Sequence, residues 1–506
     1  MRPASNHADV VVVGGGGSGL AAAISAAERG ARVILLEKTT SMGGTTALSV
    51  GSITASRTRQ QRAADIEDTP DAHFEDMDLF LGELVSRENR ELRRVLVDNV
   101  PDTLEWLMGL GLRFHGPMAE PPHSKPRMHN VLPNSRAFPH FLGRAARRLS
   151  VDIRLNARAE RLEVSKGEVV GVQATIGGRE TRIVSNSGVI LATGDFSASR
   201  AFKGRFNPQI EMVPAINDAS TGDGHAMADG FGSPILNGDL AVGPSLRFAV
   251  RESDSLMRRL PPFAILTAPM QFALRTIPIA YFRRFVMSFL TTSLAPEPAL
   301  FNAGAVLVNR EGQRFSDERT MPARHVAKQT SNEAFIVFDE KIGRRFEAWP
   351  NFISTAPGVA YAYLNDYRRT RKDIFFTAHS VADLAHSIGL PAASLAATFE
   401  ALAYDPRRRD LPALSDPPFY ALGPVSSWVV LSEGGLAVST DHEVLDGVGK
   451  AVPGLYAVGS AGQGGLVLAG HGHHLGWAFT SGRRAGISAA ERARLVPRPD
   501  LGAEAN

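Results

Sequence analysis

Two stretches of this 506-residue chain carry residues whose types and spacing can do chemistry. The first, DVVVVGGGGSGLAAAISAAERGARVILLEK, covers residues 9–38. Gly14, Gly16 and Gly19 follow the spacing GxGxxG, which allows a tight turn, close approach of the backbone to a pyrophosphate, and close packing of the next helix on the preceding strand. Glu37 stands about 20 residues further on, where a carboxylate can accept both hydroxyls of an adenosine ribose. The second stretch, GLYAVGSAGQGGLVLAGHGHHLGWAF, places His471, His473 and His474 in and after a glycine-rich loop. Imidazole titrates near neutrality and can donate a proton to, or polarise, a carbonyl conjugated with a reacting bond. His473 is the candidate for that role. Metal ligation is the competing reading of the three imidazoles, but no neighbouring carboxylate or thiol completes a site, so no metal is expected.

These residues need elements to hold them. Four successive valines predict a strand covered on both faces, because the apolar run is continuous where a half-exposed strand would alternate. An Ala-rich helix is predicted over residues 18–29, stopping at Gly30, and the strand ARVILLEK ends in Glu37. Strand, glycine turn, helix, strand and terminal acid in one run predict dinucleotide binding. The phosphates would rest on the helix N-terminus, where unpaired N–H groups and the positive dipole end favour anions. A glycine-rich turn in an ordinary doubly wound domain leaves Glu37 without a role.

The length allows two or three domains, and 44% apolar residues suffice for a sizeable core. A net charge of +3, mixed along the chain, gives no electrostatic case for nucleic acid. The basic clusters at 368–372 and 407–409 read as solvated surface. Cysteine is absent, which removes disulfides, thiolate nucleophiles, Cys-ligated clusters and CxxCH haem attachment. Electrons must pass through a nucleotide cofactor or a separate donor or acceptor. The N-terminus has no signal-peptide layout and no apolar run reaches about 18 residues, so a cytoplasmic location is expected.

After Lys38 the chain continues TTSMGGTTALSVGSITAS, which offers hydroxyls and backbone amides beside the pyrophosphate position and implies a larger cofactor. The opening motif followed by GGTT resembles the FAD-binding domain of the fumarate reductase, succinate dehydrogenase and 3-ketosteroid dehydrogenase superfamily. The resemblance implies an α/β fold: a Rossmann-like FAD-binding domain of glutathione-reductase-like topology with an inserted α+β cap domain. It implies FAD contacts from Gly14, Gly16, Gly17, Ser18, Gly19, Glu37 and Lys38, and places Gly43, Gly44, Thr45, Thr46 and Gly51 near the pyrophosphate, ribityl chain and flavin ring. GVILATGDF is similar to the second cofactor strand, so Thr193 and Gly194 should pass close; Asp195, in place of a second glycine, makes that turn less permissive. Ala159 and Asp223 are further expected contacts, the latter from TGDGHAMADGFG. At the second loop the resemblance implies Gly459, Ser460, His474, Leu475 and Gly476, with a helix starting near Gly476 and aimed at the flavin. No histidine for covalent attachment stands near GGTT, so the FAD is expected to be non-covalent.

The expected organisation is an FAD-binding domain over 1–240 and 416–506 around a cap over 241–415. Residues 73–114 show helical spacing ending at Gly109 and Gly111; residues 117–141 read as loop by their prolines, and residues 152–191 as a β-meander leading into a buried strand. The loop carries His123, His129, Arg136 and His140, with Arg136 either facing substrate or simply exposed. Residues 261–296 are unusually apolar, interrupted by Arg275, Arg283 and Arg284. They fit a lid over an apolar cavity, a segment lying peripherally on a membrane, or a subunit interface.

Relatives deliver a proton from an arginine or tyrosine four residues past the position of Glu318, where this chain has Pro322; Arg319 and Arg324 are nearby. Leu468 and Ala469 stand where the late loop of relatives carries a tyrosine or a carboxylate-gripping arginine. The resemblance thus implies an FAD-dependent oxidoreductase acting on CH–CH or C=C bonds next to a carbonyl, with hydride exchange at flavin N5. His473, Arg136 and Arg324 are the catalytic candidates, and the substrate is a small molecule of apolar or cyclic enone type. A reductase of a small unsaturated carboxylic acid, and a flavin-binding protein without turnover, stay open beside it.

Overall fold

The computed structural model describes residues 5–248, 260–277, 287, 291, 294–356 and 360–495. The valine run forms β1 (His7–Val13), buried in all but its first residue. Full burial of each such side chain contributes about 1.5–3 kcal/mol, so the run anchors its sheet. β1 pairs in parallel with β2 (Val33–Leu36), Val10 opposite Val33, and on its other side with the strand Arg179–Leu191. Ala451–Ala457 and Asp152–Arg154 extend this parallel layer at its two sides. The expected meander is present: Ala157–Ser165, Glu168–Ile176 and Arg179–Leu191 pair antiparallel in sequence order.

The helix after the glycine turn, α1 (Gly17–Glu28), packs against the C-terminal helix His473–Leu495. Small residues permit the approach, since a Cβ at Gly482 or Gly486 would lie 2.3 Å from the carbonyl oxygen of Ser18 or Ala22. The long helix Arg90–Gly109, capped by the Asn89 side chain, packs on the same C-terminal helix and ends where Gly109 and Gly111 were expected to end it.

The cap is a second layer with its own core. Its antiparallel sheet runs Ser245–Phe248, Phe419–Trp428, Ala334–Phe338, Val306–Val308, with Phe375–Ala378 also on Phe419–Trp428. The strand Phe419–Trp428 belongs to this second sheet: it pairs with Ser245–Phe248, Ala334–Phe338 and Phe375–Ala378, contacts that local pattern does not reveal. Residues 117–141 differ from the expected loop. Met128–Leu132 is a strand paired with Arg113–Met118 and with β3 (Ser52–Thr54), its prolines flanking the strand and leaving its N–H groups intact.

Within the apolar segment, the helix Ala264–Thr276 docks on Arg113–Met118, Gln271 Nε2 donating to the Phe114 carbonyl at 2.7 Å. Ile265 and Phe272 point outward, 86% and 69% exposed. Arg283 and Arg284 lie outside the described residues. No helix among the described residues is long and apolar enough to cross a membrane.

Candidate active site

A cleft opens where β1, β2 and the strand Arg179–Leu191 end and α1 begins. Its donors suit a dinucleotide. At Gly16 an added Cβ would meet nothing within 4 Å, so the backbone here faces open space at the uncapped start of α1, a position that favours anions. Gly14 and Gly19 have a different task. Gly14 takes φ +111 and its Cβ would lie 2.3 Å from the Ala192 carbonyl oxygen; a Cβ on Gly19 would lie 1.9 Å from that of Gly14. They close the turn and seat the helix.

Glu37 is buried at the cleft wall and accepts N–H bonds from Gly15 at 2.7 Å and Thr39 at 2.8 Å, one on each carboxylate oxygen. Each oxygen keeps a further acceptor site, enough for two ribose hydroxyls. Lys38 Nζ donates to Thr221 Oγ1 at 2.6 Å and Asp223 Oδ2 at 2.8 Å, and Arg158 stands 3.4 Å from Asp223 Oδ1. Burial raises the Asp223 carboxyl, but the Lys38 bond and charge outweigh it and leave the pKa below the ordinary value. Thr46 Oγ1 accepts from Gly17 N at 3.2 Å, and Asn217 donates to Thr45 Oγ1 at 2.8 Å.

Of the residues named from sequence, Gly14, Gly16, Gly17, Ser18, Glu37, Lys38, Gly44, Thr45, Thr46, Ala159, Thr193, Gly194, Asp223, Gly459 and Ser460 line the cleft. Gly19, Gly43 and Gly51 do not; Gly43 donates its N–H to the Gly15 carbonyl and Gly51 packs against Val131. His474, Leu475 and Gly476 also lie outside the lining, because the helix starts at His473 and Gly476 faces Val100 and Leu96; Gly459, Ser460 and Ala478 reach the cleft in their place. Thr39, Arg158 and the run Asn217, Ala219, Ser220 were not anticipated, although the last three directly precede TGDG. Asp195 does not obstruct its turn. Gly194 supplies φ +76, and the Asp195 carboxylate folds back to accept from Ser197 N at 2.7 Å. Burial raises the pKa of this carboxyl. No histidine is among the lining residues.

The three catalytic candidates stand apart from the lining and have different partners. His473 is buried, with Nδ1–H donated to the Ala469 carbonyl at 2.6 Å and Nε2 facing His73 Nε2 at 3.1 Å. Burial, the largest cause, lowers its pKa to about 4, so it is a neutral imidazole at neutral pH and a poor source of a proton. Arg136 is exposed at the N-cap of the helix Ala137–Arg148, and Arg324 donates to Gln209 from the helix Pro322–Val326. The other two loop histidines do have carboxylate partners, supplied from distant sequence. His471 donates from both N and Nδ1 to Glu120 Oε1, at 2.7 and 2.6 Å, and this bond raises its pKa against the opposing effect of burial. His474 Nε2 lies 2.9 Å from Glu433 Oε1.

The sequence pattern of the FAD binding domain family matches residues 9–252 and 286–471. The chain is 26% identical over 486 residues to an NADH:fumarate oxidoreductase of Klebsiella pneumoniae (strain 342), covering 92% of this chain and 46% of that protein, so it spans about half that relative's length. It is 26% identical over 496 residues to a vinyl phenol reductase of Lactiplantibacillus plantarum (strain ATCC BAA-793 / NCIMB 8826 / WCFS1), covering 91% of this chain and 92% of the other. In fold it is similar to the open conformation of a flavocytochrome c3 fumarate reductase, with a TM-score of 0.71, 24% identity, and coverage of 97% of this chain and 79% of that one. The glycine turn, the ribose-type acid and the match over both halves of the chain have one common consequence: the chain belongs to the FAD binding domain family and is a flavoprotein.

Proposed function

We propose that the protein is an FAD-dependent oxidoreductase acting on CH–CH or C=C bonds next to a carbonyl, with an apolar, cyclic enone-type substrate. The observation that carries the flavin part is the cleft itself, open at Gly16, acidic at Glu37 and lined also by Gly459 and Ser460 from the late loop. FAD bound there supplies hydride exchange at flavin N5. The chain's own residues would hold it: Gly14 to Ser18 would seat the pyrophosphate at the start of α1, with Gly44 and Thr46 beside them, Glu37 would accept the ribose hydroxyls, and Thr45 and Ser460 add to the lining. With no cysteine in the chain to ligate a cluster, electrons would enter or leave through the flavin, from or to a separate donor or acceptor.

The apolar substrate is supported by the late loop, where Leu468 is buried and Ala469 spends its carbonyl on His473, leaving neither a carboxylate grip nor a phenol at those positions. A relative named as a vinyl phenol reductase supports the apolar, non-carboxylate part of this reading and does not bear on the carbonyl. A small unsaturated acid is the second reading. It is favoured by Arg247, a guanidinium on the cap strand Ser245–Phe248 whose pKa burial lowers and whose field reaches His471. The test is anaerobic: photoreduced enzyme is mixed with a panel of cyclic enones and with fumarate-type acids, and return of the oxidised flavin spectrum is timed. Reoxidation by enones supports the proposal. Reoxidation by the acids alone replaces it with the second reading, and reoxidation by neither removes both.

A further inference from the structure

We propose that His73, His123 and His473 form a binding site for one divalent first-row transition-metal ion of the Zn²⁺ class. The three residues come from the helix Pro70–Asp76, the turn after Glu120 and the first position of the C-terminal helix. One ring nitrogen from each lies within 4.8 Å of the other two, and all three side chains are buried. His73 and His473 are closest, Nε2 to Nε2 at 3.1 Å. Two nitrogens bound tetrahedrally at about 2.0–2.1 Å from one ion are separated by roughly 3.3 Å, so this pair already has the spacing of shared ligands.

The hydrogen bonds around the rings point the same way. His473 gives its Nδ1–H to the Ala469 carbonyl, which fixes the tautomer and leaves Nε2 bare, the arrangement that orients a metal-binding histidine. An N–H···N bond from His73 to His473 would account for one contact and no more. His73 Nδ1 and His123 Nε2 would still be buried with no hydrogen-bond partner among the described residues, and such atoms are rare enough in folded proteins to call for an unseen ligand. An ion reached by Nε2 of His123 answers the second of these. It also requires a local change: His123 Nδ1 now accepts from Arg127 Nη1 at 3.0 Å, and on ligation it must carry a hydrogen and turn to Asp76 Oδ2, 3.8 Å away.

The donor set selects the ion. Three neutral imidazoles with no carboxylate in the cluster suit Zn²⁺, Co²⁺, Ni²⁺ or Cu²⁺ and disfavour Mg²⁺ and Ca²⁺, which take oxygen ligands. Asp76 and Glu120, whose charges act on His123 and His473, compensate part of the added charge beside Arg127. With three protein ligands the fourth position is left to water or another small ligand. The ion would tie two early segments of the chain to the start of the last helix.

The test uses the FAD-loaded protein, stripped with a chelator and dialysed against Zn²⁺, Co²⁺ or Mg²⁺. Elemental analysis should find about one Zn²⁺ or Co²⁺ per chain and no Mg²⁺, with a ligand-field band for Co²⁺ and a rise in Tm on adding Zn²⁺. His73→Ala and His123→Ala should each weaken binding by roughly tenfold or more with FAD content unchanged, while His386→Ala, at an exposed histidine, should bind as the parent does. Wild-type protein that retains no Zn²⁺ or Co²⁺ and shows no Zn²⁺-dependent rise in Tm overturns the proposal, as do folded His73→Ala and His123→Ala variants that bind as tightly as wild type. Should a variant fail to fold, the wild-type stoichiometry and Tm decide alone.

Discussion

Replacing Gly16 by alanine should reduce FAD affinity while leaving the apoprotein folded, and the reason lies in one position's surroundings. Gly16 has φ −73 and ψ −173, which alanine adopts without strain, and its added Cβ would meet no protein atom within 4 Å. At a helix N-cap the exchange costs the apoprotein a few tenths of a kcal/mol up to about 1 kcal/mol. The methyl group instead occupies space over which a pyrophosphate must approach the start of α1. Losing one charge-assisted hydrogen bond there costs about 1.5–3 kcal/mol, or roughly 10- to 150-fold in Kd. Apoprotein is titrated with FAD by quenching of flavin fluorescence, and its unfolding is followed separately by circular dichroism. Gly14→Ala and Gly19→Ala give the contrast, since their methyl groups would collide with backbone oxygens at 2.3 and 1.9 Å. Both should destabilise the apoprotein itself. A Gly16→Ala protein that binds FAD as tightly as the parent refutes the assignment of this turn to the pyrophosphate; one that loses affinity only because it no longer folds refutes the division of labour among the three glycines.

Glu37→Gln should weaken FAD binding roughly tenfold or more, since a carboxylate accepting from Gly15, Thr39 and ribose is exchanged for an amide with half the acceptor capacity; isothermal titration reads the change, and an unchanged Kd removes Glu37 from the ribose site. Arg93, fully buried and paired with Glu88 and Asp78, should cost about 3–5 kcal/mol on Arg93→Met because Glu88 is left as an uncompensated buried charge; a denaturation midpoint equal to wild type contradicts this. Acid should destabilise the fold through His442 and His225. Burial holds their pKa values near 3 and 4, below the unfolded 6.5, so the unfolded chain binds more protons and stability falls as pH drops from 6.5 toward those values. Each contributes up to about 1.4 kcal/mol per pH unit in that window. His442→Phe, at a ring with no hydrogen-bond partner among the described residues and packed edge-on to Trp477, should flatten the acid limb; an unaltered pH profile of unfolding counts against it.

What the sequence revealed was what neighbours in sequence decide. The valine run, the glycine spacing and Glu37 lie within one βαβ unit, and their pairing, Val10 opposite Val33, is that of adjacent elements. The meander and the helix after residue 222 were legible for the same reason. Partners brought from afar were not. Glu120 and Glu433 complete two of the loop histidines from 351 and 41 residues away, and His73 reaches His473 across 400. Phe419–Trp428 reads locally like a strand of either sheet, and only its pairing with Ala334–Phe338 and Ser245–Phe248 shows which one it joins. Met128–Leu132 was hidden because flanking prolines mark turns without saying what lies between them. Arg136 and Arg324 bring charge to promising neighbourhoods in the sequence, a signal that says nothing about where a long side chain points.

The most direct test of the flavin assignment is to denature the purified protein, remove the polypeptide and quantify the flavin in solution. About one FAD per chain, released intact and free, is the result predicted by a cleft that opens at Gly16 and has no histidine among its described lining residues. Colourless protein, or yellow colour that stays with the precipitated chain, contradicts it.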